Sequence, residues 1–451
     1  MQKSNTWKKR KYEYEKINKQ DEELYCRLKK VMKITEKENI AQQVYVLVYI
    51  PMMESFVHWV LKNALKSGKK RLYFLARDGY QPYLIAKRLC EVYEIPIDCR
   101  YLSCSRYAWR LPLYAIQEDF MFSYTCMGGI QVTFEKMMKR VGLSEEEAKQ
   151  IAQDVGMLEN YKEPLSYQKV KKLEQPLQEC VYFREKVKEH SKKVYEDTIG
   201  YLKQEGLLEE FPYAIVDSGW TGSMQNILSI LLKSAGKEKE IEGYYFGLYE
   251  LPKGVKKEYY HTYWFRPKKD RKKKVFFSNC LFETVVSASE GMTIGYEKKD
   301  SFYYPVKGVY LNNVNKEQIE QFLNILHYYL EQIGFSFSEE EKREKIVNKL
   351  VKLHMSYPTK EEAERMGQMI FSDDVLEYQT QQLATVFTKQ ELREQNLFYR
   401  ILNFIGIGKK QIKESAWMEG SIVRSGIFVN YYLFQTRLYK YLIYIKKLFG
   451  G

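Results

Sequence analysis

Two short passages constrain this 451-residue chain more than the rest of it. In the first, the apolar run Leu72-Tyr73-Phe74-Leu75-Ala76 ends in Arg77-Asp78-Gly79-Tyr80 and passes into a helical pattern. In the second, Tyr213-Ala214-Ile215-Val216 ends in Asp217-Ser218-Gly219-Trp220-Thr221-Gly222-Ser223 and turns helical again. A strand buried on both faces reads as an unbroken apolar run, and ligands on parallel sheets sit at the strands' carboxyl ends. An acid, a glycine and hydroxyls gathered there, ahead of a helix whose first N–H groups lack partners, suit a phosphorylated ligand. The expected fold is therefore α/β: a mostly parallel sheet with helices on both faces, an inserted helical cap and a helical C-terminal region.

Composition shifts divide the chain into four parts. Residues 1–39 read as a charged N-terminal arm, either a peripheral helix or a loose extension, and residues 40–310 as the α/β domain. Inside that domain, residues 115–207 are polar and helically periodic, with helices expected at 131–141, 144–155 and 177–205, and form the inserted cap. Residues 311–424 read as helical and 425–451 as a basic, aromatic tail. The most apolar stretch, Val44–Leu61, is interrupted by Pro51, Glu54 and His58. A membrane span needs about 20 mostly apolar residues, so a buried helix pair broken near Pro51 is expected instead.

The net charge of +14 favours anionic partners. Two places concentrate it: Lys268–Lys274, which reads as a solvated loop, and the tail, which has basic but no acidic residues after Gly420. No nucleic-acid-binding motif accompanies the charge, so nucleic acid is not an expected partner. The stretch from Gly426 to Phe449 mixes aromatic and aliphatic residues with Arg437, Lys440, Lys446 and Lys447. It fits either a terminal helix packed on the body or an element lying in an anionic membrane interface. Seven dispersed cysteines with no CxxC pair suit a reducing compartment, and charge rather than an apolar run follows the N-terminus. A cytoplasmic protein, in one reading peripheral to the inner face of the membrane, is expected.

The first loop is similar to the first loop of haloacid-dehalogenase-like phosphatases, Asp-x-Asp-Gly, with Ala76 in place of the nucleophilic Asp. A methyl group cannot form an aspartyl-phosphate, which disfavours a phosphatase of that type. Asp78 could still hold Mg²⁺ or a sugar hydroxyl, and Arg77 could fork onto a phosphate; a structural ion pair at the helix start accounts for them equally. The second loop resembles the diphosphate-sugar loop of phosphoribosyltransferases. It departs from that pattern in having one acid, Asp217, and Met224 where a hydroxyl is usual. A turn with a helix cap is the plainer account of the same residues. The candidate catalytic groups are Asp78 and Asp217. Arg77, Gly79, Arg106, Ser218, Gly219, Thr221, Gly222, Ser223 and Glu283 are the candidate ligand-binding residues, and Mg²⁺ is the cofactor the acids would suit.

Taken in order, RLYFLARDGY, YLSCSR, AIVDSGWTGSMQ, EGYYFG, LFETVVSASEGMTIGY and WMEGS resemble a known region. It is the region that follows the hydrolase domain in predicted haloacid-dehalogenase-superfamily proteins of bacterial surface-polysaccharide gene clusters. The likeness covers roughly residues 40–425 and implies a role in capsule or O-antigen biosynthesis, with other glycan-assembly proteins as partners. No Asp-x-Asp precedes it here, so the hydrolase label does not carry over. The resulting expectation is an enzyme, or a degenerate relative of one, that binds a phosphorylated sugar or nucleotide-linked ligand. A glycosyl- or phosphoribosyl-type transferase fits that ligand; a non-catalytic adaptor at the membrane is the alternative.

Overall fold

The computed structural model describes residues 6–35, 39–128, 132–310, 312–334, 340–372, 380–404 and 412–449. Its centre is a sheet of five strands: β1 (Arg71–Leu75), β2 (Asp98–Leu102), β3 (Tyr213–Trp220), β4 (Glu242–Leu248) and β5 (Tyr260–Phe265). The order is β2-β1-β3-β4-β5 and every pairing is parallel. Register sets Leu75 beside Leu102, Phe74 beside Val216, and Asp217 beside Tyr245.

Both faces of the sheet are covered, as the apolar runs require. Leu72, Phe74, Ala214 and Val216 pack into the layer that holds the helix after β1, Tyr80–Val92. Tyr73, Leu75, Tyr213 and Ile215 pack into the layer that holds the helix after β3, Ser223–Ser234. Right-handed crossovers running in opposite directions from neighbouring strands must lie on opposite faces, which is this arrangement. Each large apolar side chain so buried contributes about 1.5–3 kcal/mol.

The N-terminal helices Trp7–Asn18 and Glu22–Val31 are not a loose arm. Their apolar positions fall on one side, so Tyr14, Leu28 and Val31 are fully buried. Arg10 donates to the carbonyls of Leu353 and Tyr357 at 2.9 and 2.8 Å. The apolar stretch expected as a broken pair is one helix over residues 40–66, with a π-helical turn at Tyr45–Tyr49. Pro51 follows that turn at the start of the α-helical segment, where its missing N–H costs little. Among the described residues this is the one helix long and apolar enough to cross a membrane, yet 89% of its most apolar window is buried inside the molecule. Its Glu54 accepts from Arg27 at 2.7 Å and Arg343 at 3.2 Å, so the buried acid is compensated.

The cap consists of short helices that include Phe134–Lys139 and Glu145–Asp154, closed by the long helix Val181–Gln204. It has its own core around Met121, Phe134, Met138, Ile151 and Phe183. A hairpin of β6 (Thr293–Lys299) and β7 (Phe302–Lys307) follows the sheet and was not expected from the sequence. The C-terminal region is helical apart from a short pairing of β8 (Ile370–Phe371) with β9 (Gln381–Gln382). It shares one core with the 40–66 helix. The chain ends in a helix, Val429–Phe449, whose Tyr432 and Leu433 are buried.

Candidate functional site

The chain leaves β1 towards β2 on one side and β3 towards β4 on the other, so β1 and β3 flank a topological switch point. In open parallel sheets the crevice beyond the carboxyl ends of such strands is where ligands bind. A cleft of about 560 Å³ opens there, lined by the loops after β1, β2 and β3 and by the helix Asn279–Val285. That volume is in the range of small-molecule sites.

The cleft wall brings together Arg77 and Asp78 from the first loop with Asp217, Ser218, Gly219, Thr221 and Ser223 from the second. Arg106, exposed at the start of the helix after β2, and Glu283 complete the set. The two loops are tied directly: the Ser218 hydroxyl donates to the Asp78 carboxylate at 2.6 Å. Thr221 and Ser223 stand at the N-terminus of Ser223–Ser234, an end that no side chain caps.

Gly79 and Gly222 do not line this cleft, and each holds a backbone position that a side chain would disturb. A Cβ on Gly79 would come within 2.4 Å of the Leu75 carbonyl oxygen, so the turn from strand into helix closes only around a hydrogen atom. Gly222 has φ +63°, and a Cβ there would meet the Tyr260 ring at 2.8 Å.

Two of the acids are held well above the ordinary carboxyl range. Burial pushes the Asp217 carboxyl up to about 7, and the charge of Asp78 adds to that. The backbone N–H groups of Ser218 and Gly219 and the Arg106 guanidinium pull it down without winning. Burial also pushes Glu283 up to about 8, helped by Asp78 and opposed by Arg106 and the Trp220 indole N–H that donates to it. Acids held near neutrality beside cations, in an open cleft, can give or take a proton in the physiological range. The Cys104 thiol in the same wall is pushed up by burial and is inert as a nucleophile.

Sequence reasoning missed three parts of this site. Trp220 ends β3 in the left-handed region at φ +70°, rare for so bulky a residue, and its ring packs against Phe265, Phe277 and Phe282 while its N–H holds Glu283. Ser105 caps the helix that carries Arg106 by accepting from the Ala108 N–H, and also donates to the Thr293 carbonyl at 2.6 Å. The far wall comes from the C-terminal region, through Asn312, Asn315, Phe371, Gln381 and Ser415. The first two signals lay inside DSGWTGS and YLSCSR; nothing local marks the third, because long-range packing creates it.

Among the described residues, no three His, Cys, Asp or Glu side chains are grouped so as to hold a metal ion. Comparison with models of known protein families gave no match, and comparison with curated proteins gave none either.

Proposed function

We propose that this protein binds a phosphorylated sugar or nucleotide-linked ligand in the switch-point cleft and acts on it as a transferase of surface-polysaccharide biosynthesis. One observation carries the reading: two cations, Arg77 and Arg106, share the wall of one open cleft with Asp78, Asp217 and Glu283 and with the uncapped helix start at Ser223. Cations and free backbone N–H groups recognise phosphate, and carboxyl groups recognise sugar hydroxyls.

Catalysis in such a site is mainly positioning and charge neutralisation. Arg77 and Arg106 balance charge on the phosphate or diphosphate. Asp217, titrating at about 7, takes the proton of an attacking hydroxyl, and Glu283, at about 8, supplies one to the leaving group. No step is assigned to Mg²⁺. Phosphatase chemistry through a covalent aspartyl-phosphate is disfavoured at this loop, because Ala76 stands in the cleft wall and its methyl group cannot attack phosphorus. The polysaccharide context and the cytoplasmic location rest on the ordered motifs, and glycan-assembly proteins are the partners they suggest.

A thermal-shift screen against sugar nucleotides, phosphoribosyl diphosphate and sugar phosphates, with and without Mg²⁺, tests this. A rise in melting temperature with one class, abolished by Asp217→Asn, is expected. A chain indifferent to all three classes would remove the proposal.

A further inference from the structure

The terminal helix Val429–Phe449 presents an apolar stripe that nothing among the described residues covers. Tyr431, Phe434, Leu438, Leu442 and Ile445 are exposed, Phe434 by 62%. At 3.6 residues per turn they fall within an arc of about 80°, on the side opposite the buried Tyr432, Leu433 and Thr436. The patch continues onto the helix Leu397–Phe404, whose Phe398 and Tyr399 are 65% and 52% exposed. That helix is clipped to the terminal one by the Leu397 N–H donating to Gln435 at 2.8 Å and the Asn396 amide donating to the Tyr431 hydroxyl at 3.2 Å. A continuous apolar ridge of this kind marks an interaction surface.

Charge decides what it meets. Two of the helix's own cations are engaged: Lys440 donates to the buried Glu419 at 2.6 Å, and Arg437 is bonded to Tyr357 and to the Leu433 carbonyl. The basic segment read as a free loop supplies further ones. Its helix, Arg271–Val275, packs against the terminal helix, and Lys268, Lys269, Arg271 and Lys272 are exposed beside it. Asp270 is already paired with Arg266 at 2.8 Å and leaves these cations uncompensated by it. Apolar side chains on a helix packed against a segment of exposed cations suit the boundary of an anionic bilayer, where the former enter the acyl edge and the latter meet headgroups. Two copies meeting through the same face would bring like charges together.

We infer that the ridge formed by the terminal helix and Leu397–Phe404, together with the Lys268–Lys272 cations, is a docking surface for an anionic membrane. The test is co-sedimentation of the full chain with vesicles of phosphatidylcholine alone and of phosphatidylcholine mixed with phosphatidylglycerol. Binding to the mixed vesicles is expected, weakening as salt rises. The triple variant Phe434→Ser, Leu438→Ser, Leu442→Ser should bind roughly tenfold more weakly, and so should a variant with Gln at Lys268, Lys269, Arg271 and Lys272, which should also lose the salt dependence. Equal binding to both vesicle types, no binding to either, or unchanged binding of both variants would overturn the inference. So would a concentration-dependent dimer, seen by analytical ultracentrifugation, that the triple variant abolishes.

Discussion

Asp217 and Glu283 are the residues at which folding and chemistry pull against each other. Their folded-state values of about 7 and 8 lie above the ordinary carboxyl values of 3.8 and 4.5. Folding therefore favours the neutral forms, a contribution complete below about pH 4 and lost as pH rises through 7 to 8. Wild-type stability should fall across that window, and Asp217→Asn or Glu283→Gln should flatten the fall; urea unfolding at pH 5 and pH 8.5 reads it directly. Variants whose advantage is the same at both pH values would contradict the assignment. A phosphorylated ligand should bind more weakly above pH 8 for the same reason, since both acids are then charged against it. Arg106→Ala should weaken that ligand roughly tenfold or more, the usual loss for a hydrogen bond to a charged group, measured by calorimetry.

At the scale of elements, several boundaries were readable because local chemistry set them. The runs Leu72–Ala76 and Tyr213–Val216 became the neighbouring strands β1 and β3, and Ser144 with Glu147 forms the capping box that starts Glu145–Asp154. The elements that were misread depend on distant partners. Residues 1–39 read as a charged arm, a peripheral helix or a loose extension, and what decides between them is distant, Arg27 meeting Glu54; the 40–66 helix looks broken at Pro51 until the π-helical turn before it is seen. Truncating Glu54 to Ala should cost about 3–5 kcal/mol in denaturant unfolding, because Arg27 and Arg343 would be left buried without their acid. Gly219 makes a second element-level case: at φ +113° a Cβ would lie 2.4 Å from the Gly247 carbonyl oxygen across β3 and β4. Gly219→Ala should therefore destabilise the chain by about 1–3 kcal/mol. A neutral result would mean that the strands separate more easily than their register implies.

At the scale of the whole molecule, the two loops and their facing each other across one site were legible, and the fold shows how they come together. Sequence placed an acid and a glycine after each strand, with the serine and threonine hydroxyls after the second; the order β2-β1-β3-β4-β5 makes those strands neighbours and turns two loops into one rim. The far wall, from Asn312 to Ser415, had no local signature, because it exists only once the C-terminal helices share a core with the 40–66 helix. A double-mutant cycle across the rim reads out that convergence. Calorimetric titration with inorganic pyrophosphate of the unaltered chain, Arg77→Ala, Ser223→Ala and the double variant supplies the four affinities. If one anion is held by both loops, each single variant weakens binding and the double variant loses less than the sum of the two. Strictly additive losses, or an affinity that neither variant changes, would mean that the two loops do not form one site.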